Sequence, residues 1–127
     1  MTAPAIERWL QYMQSGTNAL LDELLDDGIE FYSPAVFTPQ KGIARARPYL
    51  VAAEQMFANT NFRYTAQWAS DRSAVLEFAA DLDGVHIDGV DIIQWNDGDK
   101  ITEFKVMVRP LKAIQTIIPI MGRLLEP

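Results

Sequence analysis

Residues 85–109, with the sequence VHIDGVDIIQWNDGDKITEFKVMVR, carry the clearest secondary-structure pattern in the chain. From Val85 to Trp95 apolar side chains occupy most alternate positions, which is the period of a half-buried β-strand. The segment NDGD at residues 96–99 is a strong turn, and the alternation resumes beyond it up to Val108. This pattern predicts two long antiparallel strands joined by a tight turn.

The same alternation continues upstream of this stretch. Asp83-Gly84 is a hairpin turn signal, and two further strands are predicted before it. Their alternating apolar side chains are Phe62, Tyr64, Ala66 and Trp68 in the first strand, then Ala74, Leu76, Phe78, Ala80 and Leu82 in the second. A short strand is also expected from Ile29 to Ser33. The sequence thus predicts one short strand followed by an antiparallel meander.

Helical periodicity covers the remaining segments. The first three predicted helices span about residues 4–14, 18–25 and 44–57. Pro48 is expected to delay the regular part of the third helix to about Ala46, because proline cannot donate a backbone hydrogen bond. Residues 111–125 form a fourth helix that is apolar on nearly every side, in which Pro119 should kink or restart the helix. The element order predicts a single α+β domain over residues 1–127, with helices packed on one face of a curved antiparallel sheet.

Composition excludes several classes of function. The 127 residues include 11 basic and 17 acidic side chains, so the net charge is −6 and no nucleic-acid partner is expected. The absence of cysteine excludes disulfides, thiol catalysis and Cys-ligated zinc, and a single histidine excludes a multi-histidine metal site. No cofactor is implied. No signal peptide and no apolar run of ~20 residues is visible, so we predict a soluble, cytoplasmic protein without a membrane partner.

Asp91 is the most informative polar residue. Unbroken alternation places it on the mostly apolar face of its strand, where an ionised carboxylate is costly unless a cation pairs with it. With a raised pKa it could act as a general acid or donate a hydrogen bond to a developing oxyanion. Two structural alternatives remain open at this point: a bulge at Gly89 that turns Asp91 outward, or a buried ion pair with Arg109.

Arg109 and His86 are weaker candidates. The guanidinium of Arg109 could hold a carboxylate or phosphate of a ligand, although a salt bridge at the rim of the sheet explains it as well. His86, Asp88 and Asp91 have a spacing that suggests a metal site, but on a regular strand Asp91 faces away from the other two. We therefore expect no metal at these positions and a surface histidine beside an acidic residue.

Aromatic side chains are numerous enough to line a cavity. They include Trp9, Tyr12, Phe31, Tyr32, Phe57, Tyr64, Trp68, Phe78 and Trp95. Each of them taken singly is better explained as part of the core. Together with one buried acid, they make an apolar cavity for a small molecule plausible.

Two stretches of the chain resemble the nuclear transport factor 2-like superfamily, specifically its SnoaL-like, ketosteroid isomerase-like branch. The first is FYSP at residues 31–34, continuing through Gly42 into a helix. The second is GVDIIQWNDGDKITEF at residues 89–104, which ends in VMVRP at residues 106–110. The resemblance covers nearly the whole chain and implies a cone-shaped α+β barrel of the cystatin-like type. It further implies a deep pocket between the sheet and the N-terminal helices, often within a homodimer.

The superfamily includes ketosteroid isomerases, limonene epoxide hydrolases and polyketide cyclases, so the site must decide the function. Compared with the isomerases, Asp91 matches the aspartate that donates to the oxyanion, and Ser33 occupies the position of the catalytic base. Trp9 occupies the position of the oxyanion tyrosine, with Tyr12 one turn away. A serine without a partner base is a poor proton acceptor, which argues against steroid isomerisation by that mechanism.

Two functions are consistent with these residues. The first is a cofactor-free isomerase, cyclase or hydrolase that acts on a small, mostly apolar molecule through Asp91, with Trp9, Tyr12 or Tyr32 positioning it. The second is a non-catalytic ligand-binding or dimerising module of the same fold. The residues expected to contact the ligand are Trp9, Tyr12, Phe31, Ser33, Phe57, Trp68, Phe104, Val106 and Arg109.

Overall fold

The computed structural model describes residues 2–126, which form four helices and six strands. The helices are α1 (Pro4–Ser15), α2 (Asn18–Leu24), α3 (Ile43–Phe57) and α4 (Leu111–Leu124). The strands are β1 (Leu25–Tyr32), β2 (Gln40–Lys41), β3 (Arg63–Ala69), β4 (Ser73–Leu82), β5 (Val85–Trp95) and β6 (Ile101–Arg109). The predicted α+β class is confirmed.

The six strands form one curved sheet in the order β2-β1-β6-β5-β4-β3. Strands β3 to β6 are the predicted antiparallel meander, joined by short turns. Strand β1 lies parallel to β6, so the N-terminal part of the chain extends the sheet beyond the last strand of the meander. Helices pack on one face of the sheet, against the buried apolar side chains of β4, β5 and β6.

The register of β4 against β5 is regular from end to end, with Leu76 opposite Asp91 and Phe78 opposite Gly89. The bulge considered at Gly89 is therefore absent, and the side chain of Asp91 lies on the buried face of the sheet. Because Gly89 has no side chain, the ring of Phe78 can pack directly against its backbone. A Cβ atom at this position would overlap the ring of Phe78 and lie 2.8 Å from the carbonyl oxygen of Met107.

Strand β3 departs from the predicted alternation. Its register against β4 shifts between Tyr64 and Ala66, so the residues beyond the shift change faces. Trp68 then lies opposite Val75 on the outer face of the sheet and is 58% exposed. The prediction that Trp68 faces the cavity is wrong for this reason.

The helices differ from the predictions in detail. α3 begins at Ile43 and continues through Pro48, rather than becoming regular only at Ala46. α4 is likewise one continuous helix through Pro119. It buries Ala113 and Ile117 against the sheet and α3, and it leaves Leu111, Ile118 and Leu124 partly exposed. None of the helices in the described part of the chain has the length and apolarity needed to cross a bilayer.

Candidate active site

Asp91 lies in the middle of β5 and is 5% exposed, which makes it the only buried charged residue within residues 2–126. Its neighbours across the sheet are apolar: Leu76 on β4 and Val106 on β6. No salt bridge reaches it from the described residues, and Arg109 instead pairs with Asp88. The alternative of a buried Asp91–Arg109 ion pair is therefore wrong.

A chain of two hydrogen bonds ends on Asp91. The hydroxyl of Tyr64 donates to Oδ2 of Asp91 at 2.6 Å, and Nε1 of Trp9 donates to the Tyr64 hydroxyl oxygen at 2.8 Å. Because the indole N–H can only donate, it fixes the tyrosine hydrogen toward the carboxyl group. The bond from Tyr64 is the only hydrogen bond to the Asp91 carboxyl group among the described residues, so Oδ1 remains available to a ligand.

Burial dominates the acidity of this cluster. It raises the pKa of Asp91 from 3.8 to about 7, and the hydrogen bond from Tyr64 opposes part of that rise. The pKa of Tyr64 is raised well above 10.0 by its own burial and by the neighbouring Asp91 charge. Near neutral pH the carboxyl group is therefore divided between its acid and its base form, while Tyr64 stays protonated.

The side chain of Asp91 lines an inner cavity of about 40 Å³. The other residues around this cavity are uncharged and mostly aromatic or aliphatic. They are Trp9, Met13, Phe31, Leu50, Ala53, Phe57, Phe62, Phe78, Phe104 and Val106. The inner cavity thus combines one ionisable group with six aromatic side chains.

A larger outer cavity of about 200 Å³ adjoins the inner one. Phe31, Ala53, Phe57 and Val106 line both, so the two spaces share part of their walls. The outer cavity extends to α4 and to the loop after β1, and its lining is apolar except for the hydroxyl groups of Ser33 and Tyr49. Its remaining residues are Ser33, Pro34, Ala35, Val36, Tyr49, Met56, Val108, Ile117, Ile118, Met121, Gly122 and Leu125.

Most of the residues expected to contact a ligand lie around these cavities. Trp9, Phe31, Phe57, Phe104 and Val106 line the inner cavity together with Asp91. They come from α1, β1, α3 and β6, so the fold brings together side chains up to 97 positions apart in the sequence.

Ser33 lies in the lining of the outer cavity. Its Oγ accepts a hydrogen bond from the backbone N–H of Ala35 at 3.1 Å, which is a local turn contact. Neither cavity lining contains a second carboxylate among the described residues. The structure therefore offers no protein base at this position.

Tyr12 is fully buried, but it does not line either cavity. Its hydroxyl group has no hydrogen-bond partner within residues 2–126. Burial and the nearby Glu54 raise the pKa of Tyr12 to about 12. Its ring packs against Trp9 at a centroid distance of 5.4 Å, so it supports a residue of the site from behind.

The prediction that Arg109 contacts the ligand is also wrong. Its side chain is 78% exposed on the outer face of the sheet, where Nη1 lies 3.3 Å from Oδ2 of Asp88. Strict alternation places Arg109 on the face opposite to Val106 and Val108, and it lies on that opposite face in the structure. His86 lies on the same outer face between Asp81 and Asp88, away from Asp91.

The sequence marks Tyr64 as one of the aromatic side chains that could line a cavity, but not as a residue expected to contact the ligand. Its position in an alternating apolar strand marks it as inward, but nothing in the sequence pairs it with Asp91. The two residues are on β3 and β5, and only the register of the intervening β4 brings them together.

A family model described as a SnoaL-like domain matches residues 6–104. The chain belongs to the SnoaL-like family. The match runs from within α1 to the first four residues of β6, and it includes every residue of the Trp9–Tyr64–Asp91 cluster. No curated protein sequence matches the chain.

Solved structures show the same fold. A steroid delta-isomerase from Pseudomonas aeruginosa is 32% identical, with a TM-score of 0.89 over 95% of this chain and 88% of that one. An uncharacterised protein with a cystatin-like fold from Silicibacter pomeroyi is 27% identical, with a TM-score of 0.86 over 94% and 84%. An NTF2-like protein of unknown function from Mesorhizobium loti is 18% identical, with a TM-score of 0.74 over 84% and 88%.

Proposed function

We propose that this protein is a cofactor-free acid catalyst, an isomerase or cyclase, for a small apolar molecule that carries a carbonyl oxygen. The observation that carries the proposal is the Asp91 carboxyl group: it is buried, it is held through Oδ2 by Tyr64, and it lines an otherwise apolar cavity. In its acid form Oδ1 can donate a hydrogen bond to the ligand oxygen. As negative charge develops on that oxygen, a donor in a water-poor cavity stabilises it strongly.

The size of the two cavities favours a small ligand. Their volumes are about 40 Å³ and about 200 Å³, which together lie below the ~300–1,000 Å³ of pockets for drug-sized molecules. The polar end of the ligand would lie in the inner cavity, next to Asp91. Its apolar part would extend past Phe31 and Val106 toward α4.

The likeness to the steroid delta-isomerase, at 32% identity, supports isomerase chemistry. Ser33 does not supply a base for it, because its hydroxyl group is engaged in a turn and no carboxylate adjoins it. A water molecule would then remove the carbon-bound proton, while Asp91 in its acid form stabilises the enolate oxygen. This division of roles predicts slow turnover that depends on Asp91 in its acid form.

The proposal can be tested with 3-cyclohexenone, a small ketone whose conjugated isomer absorbs in the ultraviolet. We expect the protein to accelerate the isomerisation over buffer alone, with a rate that falls above pH 7 and is lost in Asp91→Asn. Arg109→Ala, on the opposite face of the sheet, is the matched control and should retain the rate. Absence of any isomerisation above the buffer rate would overturn the proposal of catalysis.

Binding without turnover is the second candidate function. It is favoured by the lack of a second carboxylate in either cavity lining. Under this alternative, ketone binding depends on Asp91 but no isomerisation exceeds the buffer rate. The same assay combined with calorimetry therefore separates the two candidates.

We also propose that a second copy of the chain covers the outer face of the sheet. Trp68 and Met107 are 58% and 53% exposed on this face, and the half-buried Val75, Val90 and Ile92 share it. Burying such side chains stabilises an interface.

Sedimentation at micromolar concentration should give the mass of a dimer, and the mass of a monomer would exclude the proposed dimer. Trp68→Lys should weaken the association, whereas Leu111→Lys, on α4, should leave it unchanged.

A further inference from the structure

We infer that the inner cavity binds the ammonium head of a small primary amine, with Asp91 as its counter-ion and the apolar tail in the outer cavity. This inference rests on the proposed binding of a small molecule at Asp91, and it names a charged ligand class that the neutral ketone of the proposed function does not include. It stands on the composition of the two cavity linings and on the place of Asp91 within them.

The lining of the inner cavity favours a cation. Asp91 is its only ionisable group, and six aromatic side chains surround the same space: Trp9, Phe31, Phe57, Phe62, Phe78 and Phe104. A carboxylate provides the opposite charge, and aromatic rings attract cations through their quadrupoles. An ammonium group would therefore find both kinds of partner in one cavity.

The charges around Asp91 also favour a cation over an anion. Residues of α1, β1, α3, β4 and β6 enclose it, and none of those that line the inner cavity is basic. The titratable groups near it are Tyr64, which donates to Oδ2, and Tyr12 behind Trp9; both remain neutral at physiological pH. The chain carries a net charge of −6, whose field adds to the attraction.

Burial without a positively charged side chain nearby makes the carboxyl group hard to ionise. Burial alone raises the pKa of Asp91, and no described side chain compensates the charge. A bound ammonium group would supply that charge, stabilise the carboxylate and lower its pKa. Below pH 7, amine binding must therefore release the proton that Asp91 holds.

The volume of the inner cavity limits the size of the head group. About 40 Å³ accommodates roughly one to three non-hydrogen atoms. A primary ammonium group fits this space, whereas a trimethylammonium group exceeds it. The outer cavity, at about 200 Å³ and lined by apolar side chains, accommodates a short alkyl or aryl tail.

The test is isothermal titration calorimetry of the whole chain with hexylamine, 1-hexanol and 2-heptanone, in buffers of different ionisation enthalpy. We expect hexylamine to bind more tightly than 1-hexanol, by about 10- to 100-fold, the range of a charge-assisted hydrogen bond. Its affinity should rise about tenfold per pH unit up to pH 7 and then level off, with close to one proton released per amine at pH 6 and almost none at pH 9. Hexyltrimethylammonium should bind more weakly than hexylamine.

Two variants keep the inference falsifiable. Asp91→Asn should reduce hexylamine binding to the level of 1-hexanol, with 1-hexanol binding itself little changed. Tyr64→Phe should move the midpoint of the hexylamine pH profile upward, because it removes a hydrogen bond that stabilises the carboxylate. If hexylamine binds no better than 1-hexanol, binds without proton release at pH 6, or binds equally to Asp91→Asn, the inference is overturned.

The outcomes also separate this inference from the proposed function. Binding of 2-heptanone that depends on Asp91 and weakens above pH 7, together with no preference for hexylamine, would reject the amine and keep the acid catalyst. No Asp91-dependent binding of either molecule would reject both.

Discussion

The hydroxyl group of Tyr64 lies 2.6 Å from Oδ2 of Asp91, and the indole N–H of Trp9 directs its hydrogen toward that oxygen. This contact holds one oxygen of a buried acid in place and leaves the other free. The remaining surroundings of Asp91 are apolar, so the cavity itself makes the carboxyl group hard to ionise.

The first prediction concerns the pH dependence of stability. The pKa of Asp91 is higher in the folded chain than in the unfolded one, so its stabilising contribution is complete below pH 4 and is lost as pH rises through 7. A rise from 3.8 to about 7 corresponds to about 4 kcal/mol. Relative to Asp91→Asn, the wild-type free energy of unfolding should fall by about that amount between pH 4 and pH 8.

Urea unfolding of both proteins across this pH range measures the difference directly. Other acids on the surface contribute equally to the two proteins and cancel in the comparison. A difference that stays constant from pH 4 to pH 8 would show that Asp91 is not a buried acid with a raised pKa.

The second prediction concerns Tyr64. In Tyr64→Phe the carboxylate loses its hydrogen bond and the Trp9 N–H loses its acceptor, so the pKa of Asp91 should rise and the protein should be destabilised by about 1–3 kcal/mol. Tyr32→Phe is the matched control, since the hydroxyl group of Tyr32 contacts Glu30 instead. An Asp91 pKa that is equal in both variants and in the wild type would contradict the assigned hydrogen bond.

The third prediction concerns the packing of Phe78 over Gly89. Gly89→Ala should destabilise the fold by about 1–3 kcal/mol, because the added methyl group meets both the Phe78 ring and the Met107 carbonyl oxygen. Gly122→Ala is the control: nothing lies within 4 Å of its Cβ position, and alanine favours the helix by about 0.5–1 kcal/mol. Thermal melts should shift in opposite directions, and equal shifts would mean that Gly89 has space for a side chain.

The fourth prediction concerns the missing base. Ser33→Asp adds a carboxylate to the lining of the outer cavity, which lies next to the inner cavity that contains Asp91. We expect it to raise the rate of 3-cyclohexenone isomerisation by about 10²-fold or more, the usual contribution of a general base. Ser33→Asn should not raise the rate, and Asp91→Asn should cancel the gain. An unchanged rate in Ser33→Asp would place Ser33 out of reach of the ligand.

The sequence predicted the sheet better than the site. Strand β5 was predicted from Val85 to Trp95 and has those limits in the structure, because one face is buried and the alternation is therefore strict. The same rule failed at Trp68, where an irregular register after Tyr64 reverses the faces of β3. No local pattern in the sequence marks that shift.

The Tyr64–Asp91 contact could not be predicted from the sequence either. It depends on two strand registers at once, since β4 separates the strands that carry the two residues. Arg109 shows the opposite case: its phase in β6 already indicated the outer face, and the structure follows it.

The most direct test of this account is the pKa of the Asp91 side chain, measured by carboxyl-carbon NMR titration with Asp91→Asn to assign the signal. A value near 7 is expected, because the carboxyl group is buried without a cation. A value at or below the ~3.9 of a free aspartate would contradict the account, since Asp91 would then be solvated or paired with a positive charge.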